Sequence, residues 1–567
     1  APPEAPAVCH LDSGIFRTHT LIEGSLASGD QHSIFPNSSG HDPHGHGTSM
    51  AGIALYGQHL DRLLEGTQVV HLQHRLESVR IIPKQGEEPW KDHASATIDA
   101  ISCSEVSADR QRTFCMPVST ESDADPGQPT LWSASIDALA AGSDIRVRNN
   151  EFSLITGPNH NTKRLIVVSA ANVDSYNIDH LANSDVSPIE DPGQSWNTLT
   201  VGAFTQLDQA PRDPSYTNYT PVAPAGELSP HSRTSLLFGD HPWPIKPEIC
   251  LEGGNVLSDG QGFFETRPAA LSLRSTGIKN DVDLTSANAT SAATAQAARL
   301  AALTMNRYPS YWPETVRALL VHEARWTRPM QERLDACGKK KGERARLLRR
   351  YGWGVPTEEA VLTSSHRAVT MVVQDEFHPF DETYAMRELR LHSLPWPRDV
   401  LQSLGEADVR LRITLSYFIE PSATRRGWRG KYTYASYGLR FDLKAPTDIN
   451  VKGFLARVNR QAREEEDDDY SSESHSKHWL LGTRARHYGS LHQDEWQGTG
   501  AELAACNHIA VYPVGGWWKN NNRRDRRDLP VRYALLVSLS TSAQGADLYT
   551  PIAAQLSVPV TAVPIEV

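Results

Sequence analysis

The 567-residue chain reads as an α/β domain with a mostly parallel sheet flanked by helices, followed by an antiparallel β-sandwich. Three observations predict this. Through roughly the first 360 residues, short continuous apolar runs alternate with helix-like stretches, the texture of strands buried on both faces. Beyond them polar and apolar residues alternate, the period of a half-buried strand. The length itself exceeds what one hydrophobic core accommodates.

In chain order, residues 8–11 (V-C-H-L), 164–169 (R-L-I-V-V-S) and 198–203 (T-L-T-V-G-A) are the buried strands. Helices are expected over 46–64, 291–306 and 312–324, the last with Pro313 in its first turn, where the missing N–H costs nothing. Tyr351-Gly352-Trp353-Gly354-Val355-Pro356 is turn punctuation, which places the domain boundary near 360 and gives domains 1–360 and 361–567. Residues 409–417 (V-R-L-R-I-T-L-S-Y), 434–443, 509–513 and 532–539 are the sandwich strands.

Composition narrows the function classes. A net charge of −11 argues against a nucleic-acid surface, whose affinity rests on clustered cations. The basic runs 339–350 and 523–527 are interrupted by acids or leucines and read as helix surface or loop tip. The acidic run 464–469 reads as a solvated loop. No apolar run reaches a bilayer's thickness, so no membrane span is expected. Six scattered cysteines without a C-x-x-C pair favour reduced thiols and a cytoplasmic address, with secretion the alternative, although Cys103 and Cys115 are spaced to close a short loop. Asp12 lies so near the chain's start that an upstream segment, trimmed or removed, is compatible with the sequence.

Three segments carry chemistry. Val8-Cys9-His10-Leu11-Asp12-Ser13-Gly14 is an apolar strand ending in a carboxylate, at the end of a strand where open α/β sheets bind ligands. His46-Gly47-Thr48-Ser49-Met50-Ala51-Gly52 opens a small-residue helix with a histidine, and Ala289-Thr290-Ser291-Ala292-Ala293-Thr294-Ala295 opens another with a serine. A serine hydroxyl needs a base to become a nucleophile; His46 fits that role, with Asp12 orienting the imidazole. A developing oxyanion needs donors: the N-terminus of the Ser291 helix and the Asn172 amide both qualify. Blander readings stand beside these: a turn aspartate, a helix-capping histidine, a helix N-terminal serine, an asparagine in a strand-ending turn. A metal site from His41, His44, His46 and Asp42 is the remaining alternative, although none of the usual zinc spacings is present.

D-S-G, H-G-T-S-M-A-G, V-V-S-A-A-N and A-T-S-A-A-T-A together, supported by T-L-T-V-G-A and K-P-E-I, resemble the subtilisin-like serine peptidases (subtilases) over roughly residues 1–360. The resemblance implies a triad of Asp12, His46 and Ser291, in the chain order Asp, His, Ser known for subtilisin, with Asn172 in the oxyanion hole. It also implies Ser153 and Leu154 as the edge strand that pairs with an extended substrate. Alanine stands at 289 and 171 where glycine is usual, and at 295 where proline is usual. These departures keep a rival open: a non-catalytic subtilase-fold scaffold or sensor binding a partner through its sandwich. The spacings of 126 positions from His46 to Asn172 and 119 from Asn172 to Ser291 look long and suggest insertions near 84–133 and 208–243.

A finer resemblance involves L-S-Y-F-I-E-P (415–421), A-V-Y-P-V-G-G-W-W (510–518) and Y-W-P-E-T-V-R-A-L-L-V-H (311–322). With the Ser291 segment these are similar to bacterial subtilases encoded beside an AAA-type ATPase in anti-phage or plasmid-competition systems. That implies a cytoplasmic protease acting on polypeptides under an ATPase partner, with no cofactor. Calcium, common among subtilases, has no convincing ligand cluster in the sequence and stays unassigned. Trp517 and Trp518 fit a sandwich core better than a docking face.

Overall fold

A computed structural model describes the chain except residues 68, 89–91, 150, 240–242, 279–282, 364–367, 384, 397, 424–433, 465–475, 520–523, 527, 542–559 and 566–567. Nearly all of the acidic run 464–469, and part of the basic run 523–527, lie outside the described residues.

The first strands are β1 (Ala7–Asp12), β2 (Gln31–Ser33), β3 (Arg75–Arg80), β4 (Arg112–Met116), β5 (Ile145–Arg148), β6 (Glu151–Leu154), β7 (Leu165–Ser169) and β8 (Leu199–Thr205). The central sheet runs Glu227–Leu228, β8, β7, β4, β1, β3, β2, with Ile249–Glu252 also paired to β8. Every pairing in it is parallel except that of Glu227–Leu228. The helices flanking it are α1 (His46–Tyr56), α2 (Leu60–Glu65), α3 (His93–Ser107), α4 (Leu131–Ala141), α5 (His180–Asp185), α6 (Ala289–Arg307) and α7 (Pro313–His322).

Residue alternation along β1 explains why both faces are apolar. Val8 packs in a core with Ala51 and Ile53 of α1 and the alanines of α6, while Cys9 and Leu11 pack in another with Ala100 of α3 and Ile136 of α4. Ala292, Ala293, Ala295, Ala297 and Ala298 are all fully buried, and their small side chains let α6 lie close against the sheet.

Two four-stranded antiparallel sheets follow. One orders Ala368–Phe377, Val531–Thr541, Asp408–Tyr417 and Leu491–Thr499; the other Gly438–Leu443, His508–Val514, Glu388–Ser393 and Val560–Pro564. They share one apolar core, and His392 of one meets the Tyr533 hydroxyl of the other at 2.7 Å. Arg317 of α7 joins this layer to the first: its buried guanidinium donates to Ser416 Oγ, Trp196 O, Tyr417 O, and to Ser490 Oγ and O. Those bonds use all the donors an arginine has, which makes burial of the charge tolerable.

Several expectations change in detail. The helix over 46–64 breaks at Gly57, whose φ of 59° is left-handed, and resumes as α2. The stretch 84–133 carries α3 and β4, and β4 sits between β1 and β7 in the middle of the sheet. The Tyr351–Pro356 punctuation runs along Ile249–Glu252, Trp353 N–H donating to Glu248 O (2.8 Å) and Cys250 N–H to Gly354 O (2.9 Å). Gly352 is required there, because a Cβ would stand 2.4 Å from the Glu248 carbonyl. The cysteines are all free, so Cys103 and Cys115 close no loop. Trp518 is buried, its indole on the Glu420 carboxylate at 2.8 Å. Among the described residues no helix is long and apolar enough to cross a membrane.

Candidate active site

The carboxyl ends of β1, β4 and β7 meet the N-termini of α1 and α6, and there the chemistry-bearing residues gather. Asp12 ends β1 and is fully buried. Its carboxylate takes the Ser13 backbone N–H at 2.6 Å and grips His46 Nδ1 with both oxygens, at 2.8 and 2.9 Å. His46 opens α1 with its side chain 36% exposed, so the rest of the ring faces the cleft. The Asp12 charge raises the imidazole's proton affinity above its ordinary value, burial opposes it, Asp42 adds to it and Arg267 subtracts.

Asp42 fixes where α1 begins. It is buried and accepts from the backbone N–H groups of His44 (2.9 Å), Gly45 (2.9 Å) and Thr48 (2.8 Å), and from the hydroxyls of Ser13 (2.8 Å) and Thr48 (2.7 Å). A carboxylate there satisfies donors the helix end leaves open and complements its dipole. Ser13 Oγ in turn accepts from Gly47 N–H at 2.9 Å. A Cβ at Gly47 would sit 2.0 Å from Gly14 O, so glycine in the histidine motif lets the aspartate motif approach.

Ser291 lies in the first turn of α6 and is 7% exposed. Its hydroxyl donates to the Pro117 carbonyl at 3.0 Å; no hydrogen bond links it to His46. Pro117 extends β4, and His10 pairs with Cys115 across to β1, so Pro117 and Asp12 hold neighbouring positions on adjacent strands. Asn172 follows β7; its Oδ1 accepts from Thr290 N–H (3.0 Å) and from Thr290 Oγ–H (2.7 Å). Because Oδ1 holds two donors, Nδ2 must point the other way, and it has no hydrogen-bond partner among the described residues. Ala289 N–H goes to Gly253 O at 2.7 Å and Thr290 N–H to Asn172, which leaves that of Ser291 without a partner among the described residues.

Ser153 and Leu154 are elsewhere. They lie on β6, paired only with β5 in a separate hairpin, Ser153 opposite Arg146 and Leu154 opposite Ile145. The hairpin connects the end of α4 to the start of β7, which places it at the amino end of the parallel sheet, opposite the site. The segment at the site is Pro117 and its successor Val118. The sequence reading missed Pro117, and it missed Asp42 and Ser13 as positioning groups; Asp42 fell only within the metal alternative. That alternative fails on geometry: His41 packs edge-on against Phe16 at 5.5 Å and His44 Nε2 sits at 3.0 Å from Pro83 O, while His46 turns to Asp12. Glu121, Asp174 and Glu190 are close enough to share a cation, but Arg233 already pairs with Asp174 (2.7 Å) and Glu190 (2.6 Å).

A buried carboxylate orienting a half-open imidazole, beside a serine at a helix N-terminus with outward-facing amides, outlines a serine hydrolase on a parallel α/β sheet. A family model, the subtilase family of peptidases, matches residues 4–354, and the chain belongs to that family, which supports a serine protease. Similar solved structures include a cold-adapted subtilisin-like serine proteinase (15% identity, covering 56% of this chain and 82% of that one, TM-score 0.35). Sphericase is 18% identical, with 57% and 83% covered and a TM-score of 0.36. The epidermin leader peptide processing serine protease EpiP of Staphylococcus aureus is 14% identical, with 64% and 76% covered and a TM-score of 0.38. No curated protein matches the chain.

Proposed function

We propose that the chain is a serine endopeptidase that cuts polypeptides through an acyl-enzyme on Ser291. The observation that carries this is the two-oxygen grip of Asp12 on His46 Nδ1, which leaves Nε2 as the ring's free nitrogen in the cleft. On this reading the Ser291 hydroxyl, held on the Pro117 carbonyl, must turn between staggered wells to reach His46 Nε2. His46 takes the proton as Oγ attacks the scissile carbonyl, and Asp12 orients and stabilises the imidazolium. The oxyanion meets Ser291 N–H and Asn172 Nδ2. His46 then protonates the leaving amine, and water, activated by the same base, releases the acyl group. The substrate backbone lies extended along the chain segment after Pro117.

The finer setting is a cytoplasmic protease of an ATPase-linked bacterial defence system, with peptidase and C-terminal domains divided near residue 360. Its support is the likeness of residues 311–322, 415–421 and 510–518 to such subtilases, and six cysteines that are all free. An AAA-type ATPase gene beside this one, and co-purification of the two products, test it; a gene isolated from any ATPase sinks it.

One observation favours the rival scaffold: the Ser291 hydroxyl rests on a carbonyl rather than on the imidazole. Fluorophosphonate labelling decides. The peptidase reading expects an adduct on Ser291 and none in Ser291→Ala, which folds and hydrolyses no peptide. An unlabelled native protein, or Ser291→Ala turning over at the native rate, removes the reading.

A further inference from the structure

Arg267 is an exposed cation at the rim of this cleft that no described group neutralises. The short strand Phe264–Glu265 pairs with Leu257–Ser258 and leads into it. The preceding carbonyl, Thr266 O, accepts from Asn288 Nδ2 at 2.7 Å, and Asn288 immediately precedes the helix that presents Ser291. That bond ties the Arg267 backbone to the nucleophile's own helix end.

Its charge is felt on both sides of Ser291. It lowers the proton affinity of His46 on one side. On the other it lowers that of His231, where burial dominates, and of the Tyr176 phenol, which burial raises. Tyr176 Oη lies 2.8 Å from His231 Nδ1, and the His231 carbonyl accepts from Val173, the residue after Asn172. The Thr266–Asn288 bond sets Arg267 beside the head of the helix that carries Ser291, and its charge reaches His46, His231 and Tyr176.

Nearby carboxylates have other partners. Asp12 holds His46, Asp42 caps α1, Asp174 and Glu190 pair with Arg233, and Glu265 accepts the Arg267 backbone N–H at 3.1 Å. Among the described residues none stands within ion-pair distance of the Arg267 guanidinium. An arginine fork at the rim of a peptide groove matches a carboxylate better than any neutral side chain.

We propose that Arg267 is a specificity-determining residue that selects polypeptides carrying an acidic side chain close to the scissile bond. The proposal rests on the peptidase reading above, and its test separates the two. The probes are end-blocked peptides that differ only by Glu or Gln at each position flanking the cut, assayed with the full chain for kcat/KM. Their binding to the Ser291→Ala protein is followed by fluorescence anisotropy. An exposed charge pair predicts a Glu over Gln preference of about fivefold at one position, shrinking in high salt. Arg267→Glu reverses that ratio and Arg267→Lys keeps part of it. Cleavage without a Glu preference, or a ratio unchanged in Arg267→Glu, overturns the proposal while the peptidase reading stands. Glu-selective binding lost in Arg267→Glu, with no cleavage by the native chain, overturns the peptidase reading and upholds the role of Arg267. Neither cleavage nor Glu-selective binding overturns both.

Discussion

Asn172→Asp is the sharpest test of the oxyanion donors. The amide has two ends with separate tasks: Oδ1 takes the two Thr290 donors, at 3.0 and 2.7 Å, and Nδ2 faces outward. Aspartate keeps the acceptor and therefore the anchor, but puts a charged oxygen where the donor was. Loss of one such donor removes about 3–4 kcal/mol of transition-state stabilisation, a fall in kcat on the order of 10²–10³. KM should change little, because the donor serves the oxyanion and not the ground-state carbonyl. Asn172→Ala should lose the same kcat and stability as well, since Thr290 is fully buried and each donor left unmet costs about 1–3 kcal/mol. Thr290→Val removes one of the two anchoring bonds, worth about 1 kcal/mol, and should lower kcat less than tenfold. Steady-state hydrolysis of a chromogenic peptide gives the rates, and urea unfolding gives the stabilities. An Asn172→Asp enzyme with native kcat refutes the assignment of Nδ2 as a donor.

Four further outcomes follow from the same geometry. Asp12→Asn should fold and lose on the order of 10⁴ in kcat through the wrong imidazole tautomer, checked by peptide hydrolysis; a loss under about tenfold would mean another group orients His46. His46 must be neutral to act as base, and Asp12 raises its proton affinity, so the acid limb of kcat/KM should fall at a pH above the ordinary histidine value. The linkage has the opposite sense: the His46–Asp12 pair adds stability that is full below the ordinary histidine pKa and is lost as pH rises through the raised one, readable from urea midpoints across that window. Ala171→Gly should stabilise the fold by about 0.5–1 kcal/mol, because Ala171 holds φ at 70°, where a Cβ is strained, and glycine's larger chain entropy offsets only part of the relief; an unchanged urea midpoint would refute that strain.

Local chemistry was legible in the sequence wherever the residue itself does the work. The carboxylate ending β1, the histidine opening α1 and the serine at the head of α6 announce themselves by type and setting. What positions them did not, because it depends on partners distant in sequence: Asp42 reaching Ser13, or Pro117 O receiving Ser291 across 174 positions. Half of the sandwich strands were missed for a related reason. Leu491–Thr499 buries His492, Gln493 and Asp494 in succession, so its polar residues mask the alternation. Asp494 is tolerable there because Leu481 and Gly482 N–H groups, from another segment, bond to it at 3.0 and 2.8 Å and the buried Arg486 guanidinium stands 3.6 Å away. The edge-strand error is topological. A parallel α/β unit returns to the amino end of its sheet after each helix, so a strand-like run between α4 and β7 could not flank a site at the carboxyl end.

The alanines that kept the scaffold reading open carry less weight once the backbone is seen. Ala171 and Ala289 adopt φ of 70° and 68°, the conformation for which glycine is the ordinary choice. Each costs about 1–2 kcal/mol of local strain, so the surrounding structure must hold it in place. It does so with bonds that converge on the site: Arg233 N–H on Ala171 O at 3.4 Å, Arg233 Nε on Asn172 O at 2.6 Å, and Ala289 N–H on Gly253 O at 2.7 Å. Those bonds hold the strained turn in place, and the groups that turn presents are the Asn172 amide and the Ser291 N–H.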